Sequence, residues 1–315
     1  MATRSPHIST NDTLVVQGVV LRTLAYFDVF RHPLTLEELC RFGPGSTVSR
    51  EELRSILEEL EGNGSIGHHA GYYGLKNVRA SAAERERSEA LAISRMPTAL
   101  KMSRKIARTP FIRAVFISGS MSKGRSEKHG DIDYFIITVP GRLWVARTIL
   151  VLYKKLFLFN SHKDFCVNYF LDTEHLTVED RNRFTATEVV TLLPTYGNGT
   201  TEAFFAQNAW AFKMYPGARP TPSVEVPIGN GGWKYRVERW LGGGIGDVLD
   251  SWCMNLTWRR WRRKFGHLDA RTFELALRTR TYVSKHHPRN FQDRVLNGYM
   301  DRVFALEKEL GHQLS

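Results

Sequence analysis

The sequence predicts an α+β protein in three consecutive parts. A small helical unit ends in a hairpin (residues 1–79), a linker helix enters a short mixed sheet with flanking helices (residues 80–177), and a mostly helical region follows (residues 178–315). Three observations predict this. Before residue 62, apolar residues recur at helical spacing with two capping signatures. Between residues 112 and 171 lie three runs rich in β-branched and aromatic residues, IRAVFIS, DIDYFIITV and FCVNYFL. Beyond residue 178 helical spacing returns, interrupted by a Pro- and Gly-rich stretch at 216–232.

The elements follow in order. LVVQGVVLRTLAYFDVF has the apolar spacing of a helix, closed by His32-Pro33. Thr35 is placed to cap the next helix, with Glu38 three residues on, and Ser49 with Glu52 repeats the pattern before REELRSILEELEG. That helix stops at Gly62-Asn63-Gly64, and SIGHHAGYYGLK reads as a hairpin. A helix rich in Arg, Glu and Ala spans about residues 80–108, and Pro97 is expected to break it. IRAVFIS reads as a buried strand, GSMSKGRSEKHG as its connector, and DIDYFIITV as the second strand. Gly141 turns the chain into an apolar helix over residues 142–159, which Arg147, Lys154 and Lys155 interrupt. It is short for a membrane span, which needs roughly 20 apolar residues, and reads as a buried helix. FCVNYFL is the third strand, and His287-Pro288-Arg289 introduces the last helix.

Composition sets bounds. The apolar and charged content of the 315 residues is that of an ordinary globular chain, which excludes wholesale disorder. The first dozen residues are polar and lack the apolar core of a secretory signal. Cys40, Cys166 and Cys253 lie far apart and form no metal-ligand spacing, so a cytoplasmic protein is expected. The pairs His68-His69 and His286-His287 have no partners at ligand spacing and read as structural or surface residues.

A formal net charge of +12 favours an anionic partner: a nucleoside triphosphate, a nucleic acid or an acidic membrane surface. Residues 101–125 hold seven basic side chains and no acidic one. Residues 233–289 hold 13 Lys and Arg against 5 Asp and Glu. Within them WCMNLTWRRWRRKF interleaves Trp with Arg, a pattern that can stack bases or lie on an anionic membrane. The preferred expectation is a partly buried helix with its tryptophans inside and a solvated basic face carrying Arg259, Arg260, Arg262 and Arg263. The sharper alternative is a role in binding the acceptor or nucleotide, with nucleic acid a possible partner of this basic region.

The chemistry-bearing pattern is strand, Gly119-Ser120, about ten residues, then Asp131-Ile132-Asp133 opening the next strand. Residues two apart in a strand share a face, so Asp131 and Asp133 are expected to project together, ~6.6 Å apart along the backbone. Two carboxylates so placed can bracket divalent ions, and Mg²⁺ suits them because it takes its other ligands from phosphate and water. Glycine lets the backbone approach a phosphate, the Ser120 hydroxyl can donate to one, and Lys123 and Arg125 can neutralise further charge.

This arrangement resembles the polymerase-β-type nucleotidyltransferase superfamily over about residues 112–171. The resemblance implies a nucleotidyltransferase core with Asp131 and Asp133 as ligands of Mg²⁺ (or Mn²⁺) and Gly119 and Ser120 as contacts of a nucleoside triphosphate. It implies transfer of a nucleoside monophosphate to an acceptor (small molecule, protein or nucleic acid) with release of pyrophosphate. The family usually adds a third carboxylate, as metal ligand or base, from a later strand. Here that strand carries Asn168, and Asp164, on its face by even spacing, is the candidate third catalytic and metal-binding residue, with Asn168 lining the site instead as the alternative. The opening three helices and hairpin resemble a winged helix. Its would-be recognition helix carries Glu51, Glu52, Glu58, Glu59 and Glu61 against Arg50 and Arg54, which favours protein contact over phosphate contact. The alternative reading is a winged-helix regulatory or adaptor protein whose nucleotidyltransferase fold only senses nucleotide.

Two competing motifs fail on context. GSMSKGRS approaches a phosphate-binding loop, but the strand at Asp131 leaves no room for the helix that must follow. Gly242-Gly243-Gly244-Ile245-Gly246 follows a helical stretch rather than a strand and reads as a flexible connector.

Overall fold

Both capping boxes form. Thr35 and Ser49 each accept the amide of the glutamate three residues on, and Glu38 and Glu52 reach back to the cap amides. They start α2 (Leu36–Phe42) and α3 (Arg50–Gly62), which follow α1 (Thr10–Asp28). β1 (Gly67–His69) and β2 (Tyr72–Gly74) then pair antiparallel around a turn at Ala70 and Gly71, both with positive φ. Leu24 of α1, Leu39 of α2, and Leu53 and Leu57 of α3 are all buried, as their helical spacing in the sequence requires.

The computed structural model describes residues 10–45, 48–128, 130–159, 161, 163–229, 231–287 and 290–314. The polar opening segment, residues 1–9, and the Pro288-Arg289 step lie outside the described residues.

α4 (Val78–Ala107) runs through Pro97 without a break. Proline removes one helical hydrogen bond, and it stands here on an exposed face, as does Ile93, whose carbonyl loses its amide partner. β3 (Ile112–Ser118), a 3-10 turn (Met121–Lys123) and β4 (Asp133–Thr138) form an antiparallel pair, followed by α5 (Leu143–Phe157) and β5 (Cys166–Asp172). Next come α6 (Arg183–Thr191), β6 (Leu193–Tyr196), α7 (Thr200–Gln207), α8 (Ala209–Met214), α9 (Gly232–Trp240), α10 (Gly244–Lys264), α11 (Ala270–Ala276), β7 (Val283–Lys285) and α12 (Phe291–Leu310).

The chain is therefore α+β, with a five-stranded mixed sheet in the order β6-β3-β4-β5-β7 and flanking helices. Within that sheet β4 and β5 pair in parallel, and the other neighbours are antiparallel. Ile117, Ile132, Tyr134 and Ile136 join residues of α4 and α5 in one core. Phe116 and Phe135 pack against Phe204 of α7. Burial on both faces explains why these strands are near-continuous apolar runs.

Two compact units emerge, Met1–Arg87 with Phe212–Arg219 and Gln292–Ser315, and Ser88–Ala211 with Pro220–Phe291. This differs from three consecutive parts because later segments return. The region after residue 178 contributes β6 and β7 to the sheet, and α12 falls mostly in the first unit, where Tyr299 meets Tyr26 edge-on. The apolar helix α5 is buried on one face only, since Leu152, Leu156 and Phe157 are exposed. The glycine run at 242–246 is not a free connector: it opens α10, and a Cβ on Gly246 would lie 1.9 Å from the Leu241 carbonyl oxygen. That close approach lets Arg142 reach Leu241 O at 2.6 Å and Asp247 at 2.5 Å.

Candidate functional site

The β3–β4 register places Ser118 opposite Asp133, so the chain leaving β3 passes directly beside the start of β4. Gly119 takes a φ of 66°, and a Cβ there would lie 2.5 Å from Asp133 Oδ2. Any larger residue would meet the carboxylate in a backbone conformation that L side chains disfavour. Ser120 then begins the 3-10 turn with its side chain exposed, and its carbonyl accepts the amides of Lys123 and Arg125, each at 3.0 Å. Gly124, with a φ of 68°, ends the turn.

On the other side of the site, Ile132 is fully buried, its amide donating to Lys163 O at 3.0 Å and its carbonyl accepting from Cys166 at 2.9 Å. These bonds extend the parallel ladder one residue before β4 itself, which begins at Asp133. Asp131 is exposed and Asp133 half-buried on either side of Ile132. The buried guanidinium of Arg95 braces the approach to both strands: it donates to Ser126 Oγ at 2.7 Å, Lys163 O at 2.7 Å and Asp164 Oδ1 at 3.0 Å.

Burial, together with the negative charges of Asp131 and Glu188, pushes the Asp133 carboxyl up to about 7; Cys166 and Lys123 only partly oppose this. Lys123 Nζ donates to Gly119 O at 2.9 Å and pairs with Glu188 Oε1 at 2.8 Å. Asn168 Nδ2 donates to Asp133 Oδ1 at 2.5 Å, while its own Oδ1 accepts from Cys166 Sγ at 3.0 Å. Burial pushes the Cys166 thiol well up, and the charges of Asp133 and Asp131 add to that, so it stands as a neutral thiol. Lys154 of α5 is also close: burial lowers its pKa, while Cys166 and Asp131 act to raise it.

The structure thus brings together Gly119, Lys123, Asp131 and Asp133, with Ser120 at the adjacent turn. Arg125 is half-buried beyond that turn. Asp164 precedes β5 and is paired with Arg95. β5 carries a bulge, but it lies beyond Asp164 and Cys166 rather than between them. Tyr134 faces Val167 and Phe135 faces Tyr169, which leaves Asn168 as the extra residue, re-aimed at Asp133. Glu188 is a further acidic group near Asp133, and no local motif marks it, since α6 is brought in only by the fold. Lys154 is visible in the sequence as a cation inside an apolar helix.

Among the described residues, no group of three or more His, Cys, Asp and Glu side chains is arranged to hold a metal ion. The donor set Asp131 and Asp133 therefore fits only a hard cation that takes most of its ligands from phosphate and water, which is the habit of Mg²⁺. The Asp133 carboxyl is raised first by burial and then by the charges of Asp131 and Glu188, and only the second part would be relieved by added positive charge. The three cysteines are free, and no described helix is long and apolar enough to cross a membrane. No family model, curated protein or solved structure matches the chain.

Proposed function

We propose that the chain is a metal-dependent nucleotidyltransferase with a polymerase-β-type core, moving a nucleoside monophosphate from a nucleoside triphosphate to an acceptor. The observation that carries this reading is the packing of Asp133 onto Gly119 with Asp131 beside it. A glycine turn and an acidic pair at one strand end can grip the same polyphosphate. Asp131 and Asp133 would hold Mg²⁺ (or Mn²⁺), which supplies positive charge against the phosphate oxygens when bound. Ser120, exposed at the turn, donates to a phosphate oxygen, and Lys123 adds charge beside it. In the reaction the acceptor oxygen bonds to the α-phosphorus while the bond from that phosphorus to pyrophosphate breaks. The acceptor proton passes to a nearby base, and Glu188 replaces Asp164 as the candidate for that part.

The test is incubation with each α-labelled nucleoside triphosphate and Mg²⁺ or Mn²⁺, with and without cell extract. Label is expected to move to an acceptor, and Asp131→Asn, at an exposed position, is expected to reduce transfer on the order of a hundredfold with the fold intact. Glu188→Gln is expected to impair transfer, whereas Asp164→Asn is expected to lower stability and spare it, because Asp164 serves Arg95.

One observation favours a second reading, a nucleotide sensor within a regulatory or adaptor protein. Asn168 stands against Asp133 where a carboxylate would complete a metal site. Nucleotide binding without label transfer would support it. The first unit, with Glu51, Glu58, Glu59 and Glu61 along α3, suits protein contact under either reading.

A further inference from the structure

α10 packs one side against the body of the second unit. Gly246, Asp250, Cys253 and Trp261 are buried, and Asp250 Oδ1 accepts the Val145 amide of α5 at 2.8 Å. The opposite side is apolar too. Ile245 is 67% exposed, Val248 73%, Trp252 58% and Leu256 53%. At about 100° per residue these four fall within one arc of about 80°, and Arg259 and Arg263 continue the same line toward the helix end. A helix that packs on one side and is apolar on the other lacks the solvated face of an ordinary surface helix. The tryptophans are thus divided: Trp261 is inside, while Trp252 and Trp258 are exposed.

The charges decide what covers this face. Between residues 232 and 265 the acids are Glu238, Asp247 and Asp250. Glu238 pairs with Arg113, Asp247 with Arg142, and Asp250 caps the α5 backbone. Arg259, Arg260, Arg262, Arg263 and Lys264 are exposed. Beside the exposed Asp247, Ser251 and Asn255, the outward chemistry of α10 is thus dominated by aliphatic side chains, tryptophan and cations. We propose that α10 is a membrane-surface element that lies on an anionic lipid bilayer, inserting Ile245, Val248, Trp252 and Leu256 while Arg259 and Arg263 meet the headgroups. Tryptophan favours the interface between headgroup and acyl chain, and arginine adds attraction to anionic lipid. A second copy paired in parallel is disfavoured, since it would bring the cationic ends together while the carboxylates of this segment are already engaged. Nucleic acid is disfavoured because aliphatic residues neither stack on bases nor contact phosphate, and such interfaces are polar.

The experiment is co-sedimentation of the full chain with vesicles of phosphatidylcholine alone and of phosphatidylcholine mixed with phosphatidylserine. Binding is expected only to the mixed vesicles, with a blue shift of tryptophan fluorescence and loss at high salt. Val248→Ser with Trp252→Ser, both at exposed positions, is expected to weaken binding about tenfold or more, and Arg259→Glu with Arg263→Glu likewise. The proposal is overturned if neither vesicle sediments the protein, or if both double variants bind like the parent. It is also overturned if only a single-stranded oligonucleotide is bound, or if the serine variant abolishes a dimer in a protein that binds no vesicle. The result is independent of nucleotide transfer, so the two readings stand or fall separately.

Discussion

At the scale of single residues, Gly119 and Gly124 make a controlled pair. Both hold positive φ, 66° and 68°, but a Cβ on Gly119 meets Asp133 whereas one on Gly124 meets nothing within 4 Å. Gly124→Ala is expected to cost about 1–2 kcal/mol of conformational strain and leave transfer unchanged. Gly119→Ala is expected to cost at least as much and also to displace Asp133, abolishing transfer. Thermal melts beside the labelled-nucleotide assay separate the two, and equal activity in both variants would show that the close approach has no functional meaning. The same contrast marks what is legible in the sequence. The turn glycine and the Asp133 beside it are readable because a strand end and a turn are local rules. Glu188 is not, since a helix from a later segment carries it, and neither is the pairing of Asp164, since Arg95 comes from α4, far away in the chain.

At the scale of elements, α2 depends on Glu38 twice. Its carboxylate accepts the Thr35 amide at 2.9 Å and a two-point contact from the buried Arg85 of α4, at 2.6 and 2.9 Å. Burial opposes its charge, but the His32 ring, 3.7 Å away, and the hydrogen-bonded Arg85 guanidinium outweigh that and hold the carboxyl at about 2, below its ordinary 4.5. A carboxyl depressed in the folded state stabilises above its unfolded pKa, and that stability is lost as pH falls from about 4.5 toward 2. The loss amounts to about 3 kcal/mol over that window. Glu38→Gln is expected to be less stable at neutral pH and to show a correspondingly flatter acid limb in urea unfolding at stepped pH. An unchanged limb would mean that another group governs acid sensitivity. The caps that start α2 and α3 are legible in sequence because each box is complete within four residues. β6 and β7 are not, because strands of four and three residues carry too little pattern. Pro97 misleads because a proline on a solvated helix face costs less than one facing a core.

Across the whole molecule the charge is divided unevenly. The first unit holds 15 Lys and Arg against 15 Asp and Glu, and the second holds 29 against 17, so the entire formal excess of +12 belongs to the unit with the candidate site. Both basic stretches seen in the sequence, at 101–125 and 233–289, fall within that unit. A field of this size steers anions over roughly a Debye length, which is ~30 Å at 0.01 M salt and ~8 Å at 0.15 M. Encounter with a nucleoside triphosphate is therefore expected to depend on salt more than the bound reaction does, because contacts at a partly buried site are screened less than exposed charges. Raising potassium chloride across that range should lower kcat/KM several-fold and leave kcat nearly constant. A parallel fall in kcat would place the effect of salt on Asp131, Asp133 and their bound ions rather than on approach. Indifference of both constants would mean that the excess charge serves another anionic surface, and the lipid-facing helix α10 would then be its principal user.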